Sequence, residues 1–354
     1  FAYTPPSGFS ALSTANLPDP AIPLPSAHFN TVLYTGNGAD DRNMTGVGFQ
    51  PDFVWLKSRS GANNHYLYDA IRGPNKQILS NASVAEGNIA DRMQAFQSDG
   101  FQLGTSSEIN NNGHNYVSWN WKANGAGSND TSGDIDATVS ANQTAGFSIV
   151  NYVPNGTASA TVPHGLGVAP EMVFYKRYNS SSQWFCWTTV IDGSDDYLVL
   201  DSTDAAAAVS QAGGTSFTSS FIRATNYGAS GSPEVVAYCF ASKPSFSKVG
   251  IYTGNGNADG PYISTGFKPA WVLIKDTTGS SNGWILFDSA RSPFNEVGLY
   301  LLPNSSAAEA DYDRIDLLSN GFKLRHNYGG DNANNSVYLY IAFAEAPFKY
   351  ANAR

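Results

Sequence analysis

Charge is scarce in this sequence. Lys, Arg, Asp and Glu together supply 14% of 354 residues, while Phe, Tyr and Trp supply 13%. That balance excludes a disordered chain, which carries many charges and few aromatics. It also excludes coiled coils and long surface helices, which are built from Glu, Lys, Arg and Leu. Basic residues are rarer than acidic ones, 20 against 29, which leaves a net charge of −9 and a pI near 4.9. No nucleic-acid partner is expected, because phosphate contacts need a basic stripe. No apolar run reaches the roughly 18 residues of a membrane helix, so no membrane insertion is expected. A starting Met and a basic-then-apolar leader are missing too; the chain opens on Phe1, which predicts a piece of a longer polypeptide. Cysteine is nearly absent. Cys186 and Cys239 each sit in an apolar run, "QWFCWTTV" and "VVAYCFAS". Two buried free thiols are expected, with one disulfide as the alternative. N-x-S/T triplets such as those at Asn43 and Asn304 arise by chance in a chain this rich in Asn, Ser and Thr, and are not read as a glycosylation code.

What the sequence has in abundance is glycine (34), proline (18), tyrosine (19) and phenylalanine (20). Aromatics separated by Gly and Pro describe an all-β protein with many turns, and the length allows two or three domains. Internal repetition organises it. "VLYTGNG" (Val32 to Gly38) returns as "GIYTGNG" (Gly250 to Gly256). "GFQPDFVWLKS" (Gly48 to Ser58) returns as "GFKPAWVLIKD" (Gly266 to Asp276), and "SDGFQL" as "SNGFKL". "LYDAIRGP" and "LFDSARSP" share D-x-x-R-x-P, and "LSNASVAE" matches "LPNSSAAE". A middle copy is more diverged. It has "IVNYVPNG" and "GVAPEMVFYKR" at the corresponding places and lacks D-x-x-R-x-P. The expected organisation is an extended arm at 1–27, unit one at 28–125, an exposed Gly/Ser/Asp linker at 126–144, unit two at 145–245 and unit three at 246–354. Units two and three abut and are expected to pack together.

Each unit reads as a β-sandwich, jelly-roll-like, of seven or eight strands with short helical turns. "DFVWLKS", "EMVFYKR" and "AWVLIKD" are strand-like apolar runs, each opened by a Pro, and Phe53, Met172 and Trp271 are expected to be equivalent. Asp-Gly and Asn-Gly in the "DGF" and "NGF" elements signal hairpins. Short helices are expected in "VAEGNIADRMQAF", "TDAAAAVSQ" and "SAAEADYDRIDLL". The Pro-rich arm carries Phe1, Tyr3, Phe9, Leu12, Leu17, Ile22 and Leu24, and is expected to dock in a groove of its own chain or of a neighbouring subunit.

Catalytic motifs are lacking: no G-x-S-x-G, H-E-x-x-H, Walker loop or dinucleotide fingerprint occurs. The "GNG" turns lack the Lys-Ser/Thr and the helix of a phosphate loop. His28, His65, His114, His164 and His326 are scattered, with no zinc spacing. Acidic turns at Gly38–Arg42, Asp192–Tyr197 and Gly256–Gly260 carry carboxylates but lack an EF-hand pattern, and read as solvated. The Asp69/Arg72 and Asp288/Arg291 pairs read as ion pairs that close turns, worth at most about 1 kcal/mol if exposed. Trp119 with Trp121, and Tyr238 with Phe240, each share a strand face. They form core or, if exposed beside Asn and Asp, a sugar-stacking platform. No catalytic, metal-binding or cofactor residue is assigned, and no ligand-binding residue can be singled out.

"TPPSGFSALSTANLP" (Thr4 to Pro18) resembles the end of SPRY-like or lectin-like modules in large virion proteins of marine bacteriophages. In those proteins such a segment leads into repeated β domains. The units here are similar to them in "YTGNG", "GFQPDFVWLKSR", "SDGFQL" and the closing "YVSWNWKANGAGS" (Tyr116 to Ser128). The resemblance spans essentially the whole chain, and unit two departs from the pattern. It implies a virion-surface or extracellular setting in a tail fibre or other appendage, and a module before Phe1. The implied partners are copies of itself, as in a trimer, other virion proteins and a host-surface glycan. Repeated rigid β domains supply many weak binding surfaces, so avidity replaces one strong site. No catalytic activity is expected. An extracellular filament subunit or secreted adhesin is the alternative, and a virion polysaccharide-degrading enzyme, which needs two carboxylates roughly 5–10 Å apart in a cleft, is the second.

Overall fold

The apolar runs between Gly- and Asn-rich turns become strands, and each repeated stretch folds into an antiparallel sheet of one design. The computed structural model describes all residues except 1–4, 10, 12, 158, 210–216, 226–231, 280 and 352–354. In unit one the opening strand Phe29–Thr35 pairs with the closing strand Asn115–Trp121. The closing strand pairs with the inner strand Phe53–Ser58, followed by His65–Asp69 and Lys76–Leu79. Unit two repeats this order with Phe147–Tyr152, Val235–Phe240, Met172–Arg177, Trp184–Thr188 and Asp196–Val199. Unit three repeats it with Ser247–Thr253, Val337–Pro347, Phe267–Asp276, Ile285–Asp288 and Val297–Leu301. Phe53 pairs with Trp121 and Asp69, Met172 with Phe240 and Thr188, and Trp271 with Phe343 and Asp288. The three residues therefore hold the same register position.

Both faces of each inner strand are covered, which explains its continuous rather than alternating hydrophobicity. Val54 and Leu56 face unit one's own core, Val173 and Tyr175 face unit two's, and Val272 and Ile274 face unit three's. Those outer faces are closed by a second layer: Gly100–Leu103 between its two partners in unit one, the Thr161–Pro163 and Phe221–Arg223 pair in unit two, and Tyr262–Ser264 with Gly321–Leu324 in unit three. The opposite faces, carrying Phe53 and Trp55, Met172 and Phe174, Trp271 and Leu273, all enter one shared core. Trp121, Phe240 and Phe343, equivalent in the three closing strands, meet there, with ring centroids 5.6 Å apart for Trp121 and Phe343 and 6.0 Å for Phe240 and Phe343. The main sheets are three walls around an aromatic centre.

Several expectations need correction. Residues 126–144 are not a linker: Ser128–Asp130 and Ala137–Asn142 extend the sheet of unit two, with Ile135, Ala137 and Val139 buried. The proposed helices are strands, Met93–Gln97 in unit one and Ala310–Leu318 in unit three, while Ala207–Ala208 is a short edge strand in unit two. Among the described residues the α-helical turns are Ser107–Asn110 and Gly329–Asn332. Their Asn110 and Asn332 hold the "TGNG" turns, accepting from the amides of Asn37 and Asn255. In those turns Gly38 and Gly256 have φ of 67° and 65°, values glycine adopts without strain.

Cys186 and Cys239 are free and buried, as expected, on opposite faces of the unit-two sheet. The arm docks on its own chain. Ile22 enters the shared core, and the Lys349 ammonium donates to the Leu17 carbonyl and to Asp19, both at 2.7 Å. Phe9 and Leu24 remain exposed, so not every apolar arm residue is sheltered. Phe1, Tyr3 and Leu12 lie outside the described residues.

Candidate functional site

The polar groups singled out by the sequence fall mostly in the seams between units. Trp119, Trp121, Tyr238 and Phe240 are all buried, which removes them as a sugar-stacking platform. Asp69 and Asp288 close turns as expected, accepting from the amides of Arg72 and Arg291 and pairing with those side chains, but they are fully buried. Each also takes a donor from another unit. The Tyr238 hydroxyl donates to Asp69 at 2.7 Å, and the Trp119 indole N–H donates to Asp288 at 3.0 Å. In the third seam the equivalent residues are Ile341 and Thr188, and the charge and its donor are lost together. A buried carboxylate needs such saturation, since removing one partner leaves an uncompensated charge.

The same cyclic rule places three lysines. Lys57, Lys176 and Lys275 are equivalent, fully buried, and surrounded by backbone carbonyls. Lys57 donates to Ser58, Gly61 and, in unit three, Ser306. Lys275 donates to Asp276, Asn282 and, in unit two, Thr203. Lys176 donates to Ser182 and, in unit one, to Ala82. Burial lowers all three pKa values to about 8. Backbone bonds repeat the pattern: Glu86 to Tyr178, Ala206 to Thr277 and Glu309 to Arg59, at 2.7, 2.9 and 3.1 Å. The seam lysines and carboxylate–arginine pairs are structural, enclosed by their own partners.

The acidic turns stay at the surface for the most part. Asp40, Asp41 and Asp192 are exposed, Asp259 pairs with Lys323, and only Asp196 is buried. Among the described residues no three His, Cys, Asp or Glu side chains converge in a way that could hold a metal ion.

An open cleft of about 640 Å³ lies on unit two. Its walls come from the strands that the sequence hid inside an apparent linker. Asn129, Asp134 and Asp136 stand on one side, with Asn151, Tyr178 and Glu234 contributing the rest. The Asn151 amide donates to the Tyr178 hydroxyl at 3.0 Å, fixing the ring. Asp134 accepts from the Thr161 amide and hydroxyl at 3.0 and 2.8 Å, which lowers its pKa. Burial pushes the Tyr178 phenol up to about 12, so it remains a donor. An ionised carboxylate, amides and a fixed phenol around an open cleft suit a polyhydroxylated ligand, supplying acceptors and donors for its hydroxyls, while the Tyr178 ring packs on the shared core and beneath Arg72. Tyr178 occupies the place of Arg59 in unit one and Thr277 in unit three. Divergence from the repeat was the one sequence signal for this site.

Residues 24–347 match the family described as Domain of unknown function (DUF7483), and the chain belongs to that family. No curated protein matches it.

Proposed function

We propose that this member of the DUF7483 family is a structural and adhesive segment of a bacteriophage virion, part of a tail fibre or similar appendage, that contributes to attachment at a host-surface glycan. The observation that carries the reading is the unit-two cleft, where Tyr178 stands among Asn151, Asp134, Asp136 and Glu234. Three walls around one core give a rigid support, and a shallow polar cleft suits weak binding multiplied by copy number. The resemblance of Thr4 to Pro18 to phage virion segments supports the setting.

Antibodies raised against the purified chain should label an appendage in negative-stain micrographs of phage from the source. Label confined to free filaments or the cell surface would replace the virion reading with the adhesin one. On immobilised surface polysaccharide, the protein should bind, and Tyr178→Ala should weaken binding by about threefold to tenfold, the scale of losing one hydrogen bond. Release of reducing sugar from that polysaccharide would favour the enzymatic reading instead.

A further inference from the structure

Units one and three solve one corner of the fold differently. In unit one the Arg92 guanidinium lies 4.6 Å from the ring centre of Tyr66 and donates to Gln77. The carboxylate of Glu108 closes the corner, accepting from the Tyr66 hydroxyl at 2.6 Å and from Asn63 at 2.8 Å. Although burial raises the Glu108 pKa, those two bonds and the Arg92 charge outweigh it and hold the group ionised.

The register identifies the counterparts. Met93 pairs with Leu103 as Ile315 pairs with Leu324, so Arg314 stands where Arg92 does. Leu67 pairs with Ile78 as Leu286 pairs with Leu301, so Tyr300 replaces Gln77. Asn282 precedes Trp284 as Asn63 precedes His65. Gly330 lies two residues before Asn332, as Glu108 lies two before Asn110. Unit three has kept the arginine and the asparagine, has Ile285 in place of Tyr66 and has lost the carboxylate; the Asn282 amide donates instead to the Gly329 carbonyl at 3.0 Å and to Asp276 at 3.2 Å.

A cavity of about 260 Å³ opens there, lined by Arg314, Asn282, Tyr300, Tyr328, Asn304 and Gly330 among others, and none of its described lining residues is acidic. Arg314 is only 5% exposed. Its guanidinium is clamped between Tyr300 and Tyr328, at 4.1 and 4.2 Å from their ring centres. Its Nε–H is buried without a partner, as is that of Arg92 in unit one. Its one carboxylate contact is long, 3.4 Å from Nη1 to Asp331, against 2.6 Å for Arg72 and Asp69. Burial raises Asp331 to about 7, so it is a weak counter-ion at neutral pH. A rigid, desolvated guanidinium with a free donor is an arrangement that favours a carboxylate.

We propose that the unit-three pocket binds the carboxylate of an acidic sugar, a hexuronate, in the place that Glu108 fills in unit one. The cavity lies just below the roughly 300–1,000 Å³ usual for small-molecule sites, which suits a monosaccharide. Its hydroxyl- and amide-bearing lining, Ser281, Asn304 and Thr203, suits a polyol better than a fatty acid. The inference stands on the unit-three pocket, to which unit two contributes Thr203, and uses neither the unit-two cleft nor the virion setting. Failure of appendage labelling leaves it intact, and its own failure leaves the attachment reading intact.

The test is titration of the full ¹⁵N-labelled chain with D-glucuronate, and with D-glucose as the neutral control, following arginine Nε–H resonances. The Arg314 signal is identified by its loss in Arg314→Lys. Glucuronate should shift that signal and glucose should not. Gly330→Glu supplies an internal carboxylate and should reduce glucuronate affinity at least about tenfold, the scale of one charge-assisted pair. The new Cβ would lie 2.5 Å from Tyr328 Cε1 and 3.0 Å from Ile285 Cδ1, so the half-exposed Tyr328 ring must swing outward. Should that variant not fold, Arg314→Lys carries the same expectation, measured by calorimetry, because lysine lacks the planar fork. No Arg314 shift with glucuronate, an equal shift with glucose, or unchanged affinity in the folded variants would overturn the proposal.

Discussion

Lys57, Lys176 and Lys275 are the residues on which the arrangement of units most visibly depends. Each ammonium exchanges water for backbone carbonyls, and at least one carbonyl belongs to another unit. Replacing Lys275 with methionine leaves buried carbonyls without a donor and should destabilise the chain by about 1–3 kcal/mol, read from urea denaturation. The pH dependence has a definite sign. Burial lowers each folded-state pKa from 10.5 to about 8. Above pH 8 the folded chain therefore sheds protons that the unfolded chain keeps until about 10.5. Where the unfolded state binds more protons, stability rises with pH. The urea midpoint should climb between pH 8 and 9.5, and the climb should be smaller in Lys275→Met; equal slopes would contradict buried, titrating lysines. His65 acts in the same direction at acid pH. Burial holds its pKa well below 6.5, so stability should fall as pH drops through 6.5, where only the unfolded chain gains that proton.

At the scale of elements, the seams are where sequence and structure part. The repeated D-x-x-R-x-P pattern was enough to predict the Asp69–Arg72 and Asp288–Arg291 pairs. Their burial was not legible, because the covering residues, Tyr238 and Trp119, come from sequence far away in another unit. Tyr238→Phe should destabilise by roughly 1.5–3 kcal/mol, the range for a hydrogen bond to a charged group, whereas Ile341→Val, at the equivalent but uncharged seam, should cost about 0.5–1.5 kcal/mol; thermal unfolding of both compares them. The inner strands and the Asp-Gly and Asn-Gly hairpins were legible, since apolar runs and turn residues are local signals. Residues 306–318 form a strand instead of a short helix because their alternation places Ile315 and Leu317 in a core. The alternating Ile135, Ala137 and Val139, and with them one wall of the unit-two cleft, are masked in the sequence by the Gly, Ser and Asp around them. The unit-three pocket was hidden for another reason: its sign is the replacement of Glu108 by Gly330, visible only once the register is known.

The whole molecule closes on itself. Unit two rests on the 79–86 loop of unit one, unit one on the 302–309 loop of unit three, and unit three on the 199–206 loop of unit two. Such head-to-tail contacts, when the rotation closes, form a ring. An excised 28–125 fragment would expose Phe53, Trp55, Trp119 and Trp121 together, and should associate or lose fixed structure; a folded monomer by light scattering would contradict the shared core. The arm contributes locally. Ile22→Ala should cost about 2–5 kcal/mol without changing the mass in solution, since Ile22 packs within its own chain. The ring also brings the first strand beside the last: Phe29 stacks on Phe343 with centroids 5.0 Å apart, and Lys349 holds Asp19. The order of the units along the chain is thus only one of three ways to thread the same object. A permuted gene that joined the residues after Tyr350 to those before Asp19 by a short linker, and was cut between Ala241 and Ser247, would trace the same ring from a different start. To a partner molecule it would look unchanged, as though the position of its ends had never been part of its shape.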